Sequence, residues 1–562
     1  MRRTQTNPHP SSRTLLELAV VGTVTLTVTL PFILKAFHVD DTLFVYASRQ
    51  IRRDPLRPYD FILNWNGTDE HMWNVTKNPP LASYCLAFSH SLFGETEAAS
   101  HLTSVLFALL CTGCAWWLAM QVGAPTLWSG LLVATSPAFV VTASGVSSDT
   151  IALGFYMLAA AAFISGTRSN RSSLLILGAA AAGLSSVAKY VGITSILLLA
   201  AYSVIRARRP TWHLATLLIS LAIFALWAAH GWYFYGKPHF LTATTYWSEI
   251  RAGADEALIH SAARRLYFII ATTVFFGAAV NMPLALAPFT FRRPIRSSAA
   301  AALVTAALVA LLGHMLPRFA VTLHSPANWA LAALWLFLAT LFLRAAFRPR
   351  CPLTAELVLL WLWLAGILIF QAFFNWTVAF RIVLFAVPPA ALLIAKMSTD
   401  ARVPRPVLPA TVAVSAIIAL AVTAADARWA HSYRHAAHVL RADRPTDSRG
   451  FFHAHWGLQY YLEKNGPQRW QFLTPDIALR RGDWIVVTPI ALHDGAFFQL
   501  IERQVELGTL RPVKQWTQRP LLHIHTQNRD VGVGLYSSAD GPLPFGVGTS
   551  PSEIFSLYEV TR

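Results

Sequence analysis

Six charged positions in this 562-residue chain stand out, because their neighbours are apolar and their types could do chemistry together. Asp40 and Asp41 adjoin in "FHVDDTLF", directly after the first long apolar run. Lys77 precedes "NPPLASY", Asp149 lies in "GVSSDTIALGFY", Lys189 in "GLSSVAKYVGI" and Arg381 in "FNWTVAFRIVLFAVPP". A carboxylate can take a proton from an attacking hydroxyl. Lysine and arginine can stabilise a phosphate as it leaves. Acids and bases of this kind, if gathered, suit group transfer from a phosphorylated donor.

Whether they gather depends on the elements that carry them. The chain is 55% hydrophobic and only 13% charged, with a mean hydropathy of +0.46. Soluble domains carry about a quarter charged residues, so this is the composition of a polytopic membrane protein. Forty-five Lys and Arg against 28 Asp and Glu give a formal charge of +17. The basic residues cluster in short loops between apolar runs, which points to topology and lipid headgroups and away from nucleic acid.

About thirteen runs approach the ~20 residues that cross a bilayer. They fall near 14–34, 99–120, 127–146, 149–166, 172–188, 190–205, 212–234, 266–289, 298–315, 327–346, 353–374, 378–396 and 406–425. The first reads as a spanning anchor and not as a cleaved leader. With the N terminus in the cytoplasm, the alternate loops "GTRSNRSS", "RARRP", "FRRPIRSS", "RAAFRPRCP" and "KMSTDARVPRP" are all basic and all cytoplasmic. An odd span count then puts 35–98, 235–265 and everything after about 427 outside. The basic "LFVYASRQI" stretch is expected to lie along the headgroups.

The expected organisation is a membrane domain over 1–426, including the external loop 35–98, and a small external α/β domain over 427–562. In the latter, "HWGLQYYLEKNG" is helix-like and "DWIVVTPI" strand-like. Cys111-x-x-Cys114 sits in a helical run without a second ligand pair and reads as packing. The pairs His453-x-His455 and His523-x-His525 lack an evident third ligand, so no metal site is assigned.

On this topology the charged residues fall at one face of the membrane, on five separate elements. Alone, each is an ordinary cap or snorkelling charge. Together they are a functional site by default. No P-loop or dinucleotide-binding glycine pattern is present, and the outside lacks nucleotides, so a membrane-embedded donor with a phosphate leaving group is the economical choice.

At this point the residues resemble a known group: the GT-C membrane glycosyltransferases of family 39 type, related to protein O-mannosyltransferases and the aminoarabinose transferase of lipid A. The matching pieces are "HVDDTLFVYA", "NPPLASY", "SSDTIALGFYMLAAAAF", "GLSSVAKYVGI", "FRIVLFAVPPAALL" and the later "HWGLQYYLEKNG". The resemblance implies a GT-C fold and a polyprenyl- or dolichyl-phosphate sugar donor. It also implies transfer on the non-cytoplasmic face with inversion. By position, Asp40 is the catalytic acid/base, Asp41 stands where the family prefers Glu, and Asp149 matches a second family acid. Lys189 and Arg381 would hold the donor phosphate. Asn78 occupies the place of the family's usual Lys, and Lys77 beside it is the candidate replacement. Asn78, His71 and Tyr190 are the expected substrate contacts. No cofactor is required on this reading, although a divalent metal is left open. The acceptor is open among protein, lipid and glycan. The alternative function is a transporter or flippase for a lipid-linked or anionic substrate, its path lined by the same charges. A non-catalytic membrane scaffold is a third reading.

Overall fold

The computed structural model describes residues 12–65, 68–208, 211–244, 262–281, 325–347, 353–400, 403–464, 470–474, 477–488 and 495–562. Helix starts follow local chemistry. Thr96, Ser136, Ser325 and Thr354 each accept the backbone N–H three residues on, and Pro137 and Pro326 occupy first-turn positions where no N–H is needed. Gly123 and Gly236 end their helices in the left-handed region.

Among the described residues, nine helices are long and apolar enough to cross a membrane. The alanine-rich Ser148–Ser169 helix is almost wholly buried and packs between Ser172–Ala188 and Glu97–Val122. Of the thirteen expected spans, 298–315 lies outside the described residues and 266–289 is described only as far as residue 281, its helix being Ala262–Ala279. The expected 172–188 span is a shorter apolar helix. The expected 127–146 span is two helices, Thr126–Ala134 and Pro137–Ala143, bent by 59°. The bend sits at Ser136-Pro137, where a new N-cap and a proline restart the helix.

The amphipathic Asp41–Arg53 helix differs from its expected place on the headgroups. Leu43, Phe44, Ala47, Ser48 and Ile51 are buried, and the helix packs on Leu81–Phe93 and Trp456–Glu463. Its basic face is held by protein too, because Arg49 and Arg52 both pair with Glu95 at 2.6 and 3.0 Å.

The last helix of the bundle runs unbroken from Val407 to Asp443, so the expected boundary at 426–427 falls inside it. Beyond it lies a five-stranded sheet in the order Gln471–Phe472, Gly450–His453, Trp484–Val487, Glu553–Val560, Leu510–Gln518. The first three strands are parallel, and Glu553–Val560 runs antiparallel to both of its neighbours. Pro512 sits on the edge strand, where a missing N–H costs no ladder bond. The helix Trp456–Glu463 ties the sheet to the bundle: Tyr460 donates to Glu95 at 3.1 Å and Tyr461 to Glu97 at 2.9 Å. The whole is a polytopic α-helical membrane protein with a C-terminal α/β region.

Candidate functional site

Asp40 stands at the N-cap of Asp41–Arg53, but its carboxylate makes no capping bond. It turns instead to Arg381, whose Nη1 lies 2.5 Å from Oδ2, with about a quarter of each side chain exposed. Asp41 does the opposite. It is buried, its Oδ2 accepts the N–H of His38 at 3.0 Å and its Oδ1 accepts the N–H of Val146 at 2.9 Å. This clasp spans Val39, whose φ of +46° is uncommon for any side chain and a true outlier for a β-branched one. Burial pushes the Asp41 carboxyl up to about 7, against the pull of Lys35 and the two N–H groups. Burial likewise holds the His38 imidazole neutral, down to about 3.

Lys189 follows the helix Ser172–Ala188 in an extended conformation, ahead of a single tight turn at Tyr190–Gly192. Gly192 makes that turn possible, since a Cβ there would lie 2.4 Å from the Ser185 backbone. The turn aims the Lys189 ammonium at Asp149, 3.0 Å away in the first turn of Ser148–Ser169. Asn78 joins them: its Oδ1 lies 3.4 Å from both Lys189 Nζ and Ser148 Oγ. Its carbonyl accepts the Tyr59 hydroxyl at 2.8 Å.

Arg381 comes from the wall across the bundle. The helix Ala355–Ile369 opens into a π-turn at Phe370–Phe374, the kind of widened turn often found at functional sites. The chain then passes through Thr377–Ala379 and re-enters as the span Phe380–Asp400.

These elements enclose a cavity of about 560 Å³. Asp40, Lys77, Asn78, Lys189 and Arg381 line it, with Trp65, Glu70, Asn74, Lys237, Thr242, Asn375 and Trp376 among the other lining residues. Four cations face two acids, a balance that suits an anionic ligand. Helix ends meet here and bring Asp40, Lys77, Asn78, Lys189 and Arg381, expected from the sequence to gather, onto one cavity. Asp41 and Asp149 stand behind the wall and not on it. His71 lies apart, its Nε2 3.2 Å from Asp60 and its Nδ1 accepting the Trp73 N–H. Tyr190 turns its hydroxyl to His239 Nδ1 at 2.6 Å, within an aromatic cluster that includes Trp73, Trp227 and Tyr235. Among the described residues no group of three or more His, Cys, Asp or Glu is placed to hold a metal.

Lys237 and Glu70 are cavity residues that the sequence reading passed over. Lys237 had a signal, because it follows Gly236 at the end of a span, as Lys189 follows its own helix. Glu70 had none, since its place depends on a two-stranded hairpin of Ile62–Asn64 with Asp69–His71.

Residues 77–230 match the family model described as dolichyl-phosphate-mannose-protein mannosyltransferase. The crystal structure of ArnT from Cupriavidus metallidurans bound to undecaprenyl phosphate aligns over 98% of both chains, at 13% identity and a TM-score of 0.51. The Archaeoglobus fulgidus oligosaccharyltransferase complex with Zn and sulfate covers 86% of this chain and 69% of its own, at 11% identity and 0.45. The S. cerevisiae protein O-mannosyltransferase Pmt1-Pmt2 complex bound to the sugar donor covers 41% and 35%, at 16% identity and 0.32. No curated protein matches. The alignment over nearly the whole of both chains shows that the fold is that of the membrane protein ArnT. Within this chain, the segment from Lys77 to His230, which carries Asn78, Asp149 and Lys189, is the part similar to the mannosyltransferase family.

Proposed function

We propose that the protein transfers a sugar from a polyprenyl-phosphate donor to an acceptor on the non-cytoplasmic face of the membrane. The observation that carries this is the Asp40–Arg381 pair on a cavity wall built from helix ends, a general base beside a phosphate-binding cation. The orientation follows from the basic loops at the opposite ends of the helices.

In the transfer, Asp40 takes the proton of the acceptor hydroxyl as its oxygen attacks the anomeric carbon. The bond from that carbon to the phosphate oxygen breaks, and its electrons leave with the polyprenyl phosphate. Arg381 and Lys189 hold the departing charge, which grows as the bond lengthens. One guanidinium edge stays with Asp40, and the remaining N–H groups of Arg381 are available to the phosphate. Lys189, fixed by Asp149 and Asn78, approaches from a second element. Lys77 and Asn78 line the same wall and contact donor or sugar. Asp41 and Asp149 act by holding Asp40 and Lys189 in place.

The test supplies the purified full-length protein with a radiolabelled polyprenyl-phosphate sugar and envelope extract as acceptor. Label should move to the acceptor with the parent protein and stay on the lipid with Asp40→Asn. A protein that moves the intact labelled lipid between leaflets without cleaving it would be a flippase, and the transfer reading would fall.

A further inference from the structure

Behind the Asp40 turn lies a sealed polar network that the transfer step does not use. Asp426, inside the Val407–Asp443 helix, is fully buried. Its Oδ2 accepts Lys35 Nζ at 2.6 Å and the Tyr536 hydroxyl at 2.8 Å, and its Oδ1 accepts Thr526 Oγ1 at 2.9 Å. His38 borders the network without a hydrogen bond to it, its Nε2 3.8 Å from Oδ1 and its ring edge-on to Trp429 at 4.3 Å. Taking two charges out of water costs about as much as their attraction returns, so such a pair is poor evidence of stabilisation. It does fix geometry.

The geometry it fixes is that of the Asp40–Arg381 pair. Lys35 lies five residues before Asp40 and three before His38, where the Asp41 clasp begins. Tyr536 lies in a C-terminal segment that docks on the residues leading into Arg381. Leu535 O accepts the Phe380 N–H at 2.9 Å, Val378 O accepts the Ser538 N–H at 2.8 Å, and Ser538 Oγ accepts the Val378 N–H at 3.0 Å. The Thr377 and Ser537 hydroxyls meet at 2.8 Å. Tyr536, His38, Asp40, Asp41 and Arg381 also share a small void of about 30 Å³ behind the ion pair.

We propose that Asp426 is a positioning residue that joins the two halves of the reacting pair, holding Asp40 through Lys35 and Arg381 through Tyr536 and the docked segment 535–538. What the pair does rests on the transfer proposed above; that it is held in this way does not. The C-terminal segment is therefore part of the active centre, and the bundle alone is incomplete.

The test uses the full-length protein and four variants: Tyr536→Phe, Asp426→Asn, the double change Lys35→Met with Asp426→Leu, and Asp40→Asn as reference. Tyr536→Phe should keep the parental melting temperature and donor KM while kcat falls about 10- to 100-fold, as a small misplacement of reacting groups does. The double change removes both buried charges but leaves the Tyr536 and Thr526 hydroxyls unpaired, so it should melt closer to the parent than Asp426→Asn does yet keep the low kcat. A merely structural ion pair would give the reverse, with kcat returning as stability returns. A readout independent of transfer comes from Thr377→Cys with Ser537→Cys: the disulfide should close more slowly under mild oxidation when Asp426→Asn is added. A double variant with parental kcat, or unchanged closure with Asp426→Asn, overturns the proposal. If Asp40→Asn still transfers sugar while closure slows, the transfer reading falls and the positioning role stands.

Discussion

Two ion pairs of nearly equal length begin five residues apart, at Lys35 and Asp40, and their surroundings separate them. Asp40 and Arg381 meet at 2.5 Å with 25% and 23% of their side chains exposed to the cavity. Lys35 and Asp426 meet at 2.6 Å with 1% and 0% exposed. A ligand can enter the first pair and exchange partners with it. Nothing can enter the second without pulling the C-terminal segment from the bundle. Chemistry needs a pair that can open, whereas alignment needs one that cannot, and the proposed mechanism splits the two jobs between rim and seam.

The largest break in this comparison comes at the rim. Asp40→Asn keeps shape and some hydrogen bonding but removes the proposed base, so transfer should fall roughly 10²- to 10⁴-fold. Binding of undecaprenyl phosphate, measured by quenching of tryptophan fluorescence, should survive, because on the proposed mechanism the phosphate is held by Lys189 and Arg381. Near-normal transfer would end the proposed mechanism.

Next in size is Arg381→Ala. It removes a charge-assisted contact worth about 1.5–3 kcal/mol, so undecaprenyl phosphate should bind about 10- to 100-fold more weakly. Unchanged binding with lost transfer would instead assign Arg381 to holding Asp40 alone.

Much of the rim was legible in the sequence because it violates its surroundings. Asp40, Lys189 and Arg381 on the rim, and Asp149 behind it, are charges at the ends of apolar runs, where a charge is costly and needs a reason. The seam obeyed a different logic. Asp426 carries the same signal in "ALAVTAADARWAH", but falling hydropathy there reads as the end of a span, whereas the helix continues to Asp443. Tyr536 and Ser538 have no local signal, since docking beside Val378 and Phe380 joins segments about 160 residues apart. The bend at Ser136 was written in a Ser-Pro cap, yet unbroken hydropathy through 127–146 masked it. Apolar periodicity reports which helices exist, not which of their ends meet.

Asp41 sharpens the comparison between the two adjacent acids. Its variant Asp41→Asn should lose less transfer than Asp40→Asn, because it loosens the turn without removing the base. The pH dependence carries a distinct signature. Burial keeps the Asp41 proton bound in the folded protein up to about 7, while the unfolded carboxyl releases it near 3.8. Between those values the folded state binds more protons, so this group's contribution to stability falls as pH rises across the window and is level above it. Asn cannot ionise and shows no such fall. The melting temperature of Asp41→Asn relative to the parent should therefore climb from pH 4 to 7 and then flatten. Parallel curves would mean that Asp41 titrates in the fold as it does in the unfolded chain.

The smallest effect is expected at Lys237, and it tests how far the rim extends. Lys237 lines the cavity but is exposed, and among the described residues it has no assigned ion-pair partner. Screening by water and salt limits what such a charge contributes, to about 0.2–1 kcal/mol. Lys237→Ala should thus weaken undecaprenyl phosphate binding only about 1.5- to 5-fold at low salt. The difference should vanish as ionic strength rises and the screening length shrinks to about 3 Å near 1 M. The loss from Arg381→Ala, at a half-buried short-range contact, should persist under the same salt. Titrating both variants with undecaprenyl phosphate at 50 mM and 1 M NaCl separates a cation that steers the ligand from one that grips it. Equal salt dependence in the two would place Lys237 in direct contact with the phosphate and widen the rim to include the end of Leu218–Tyr235.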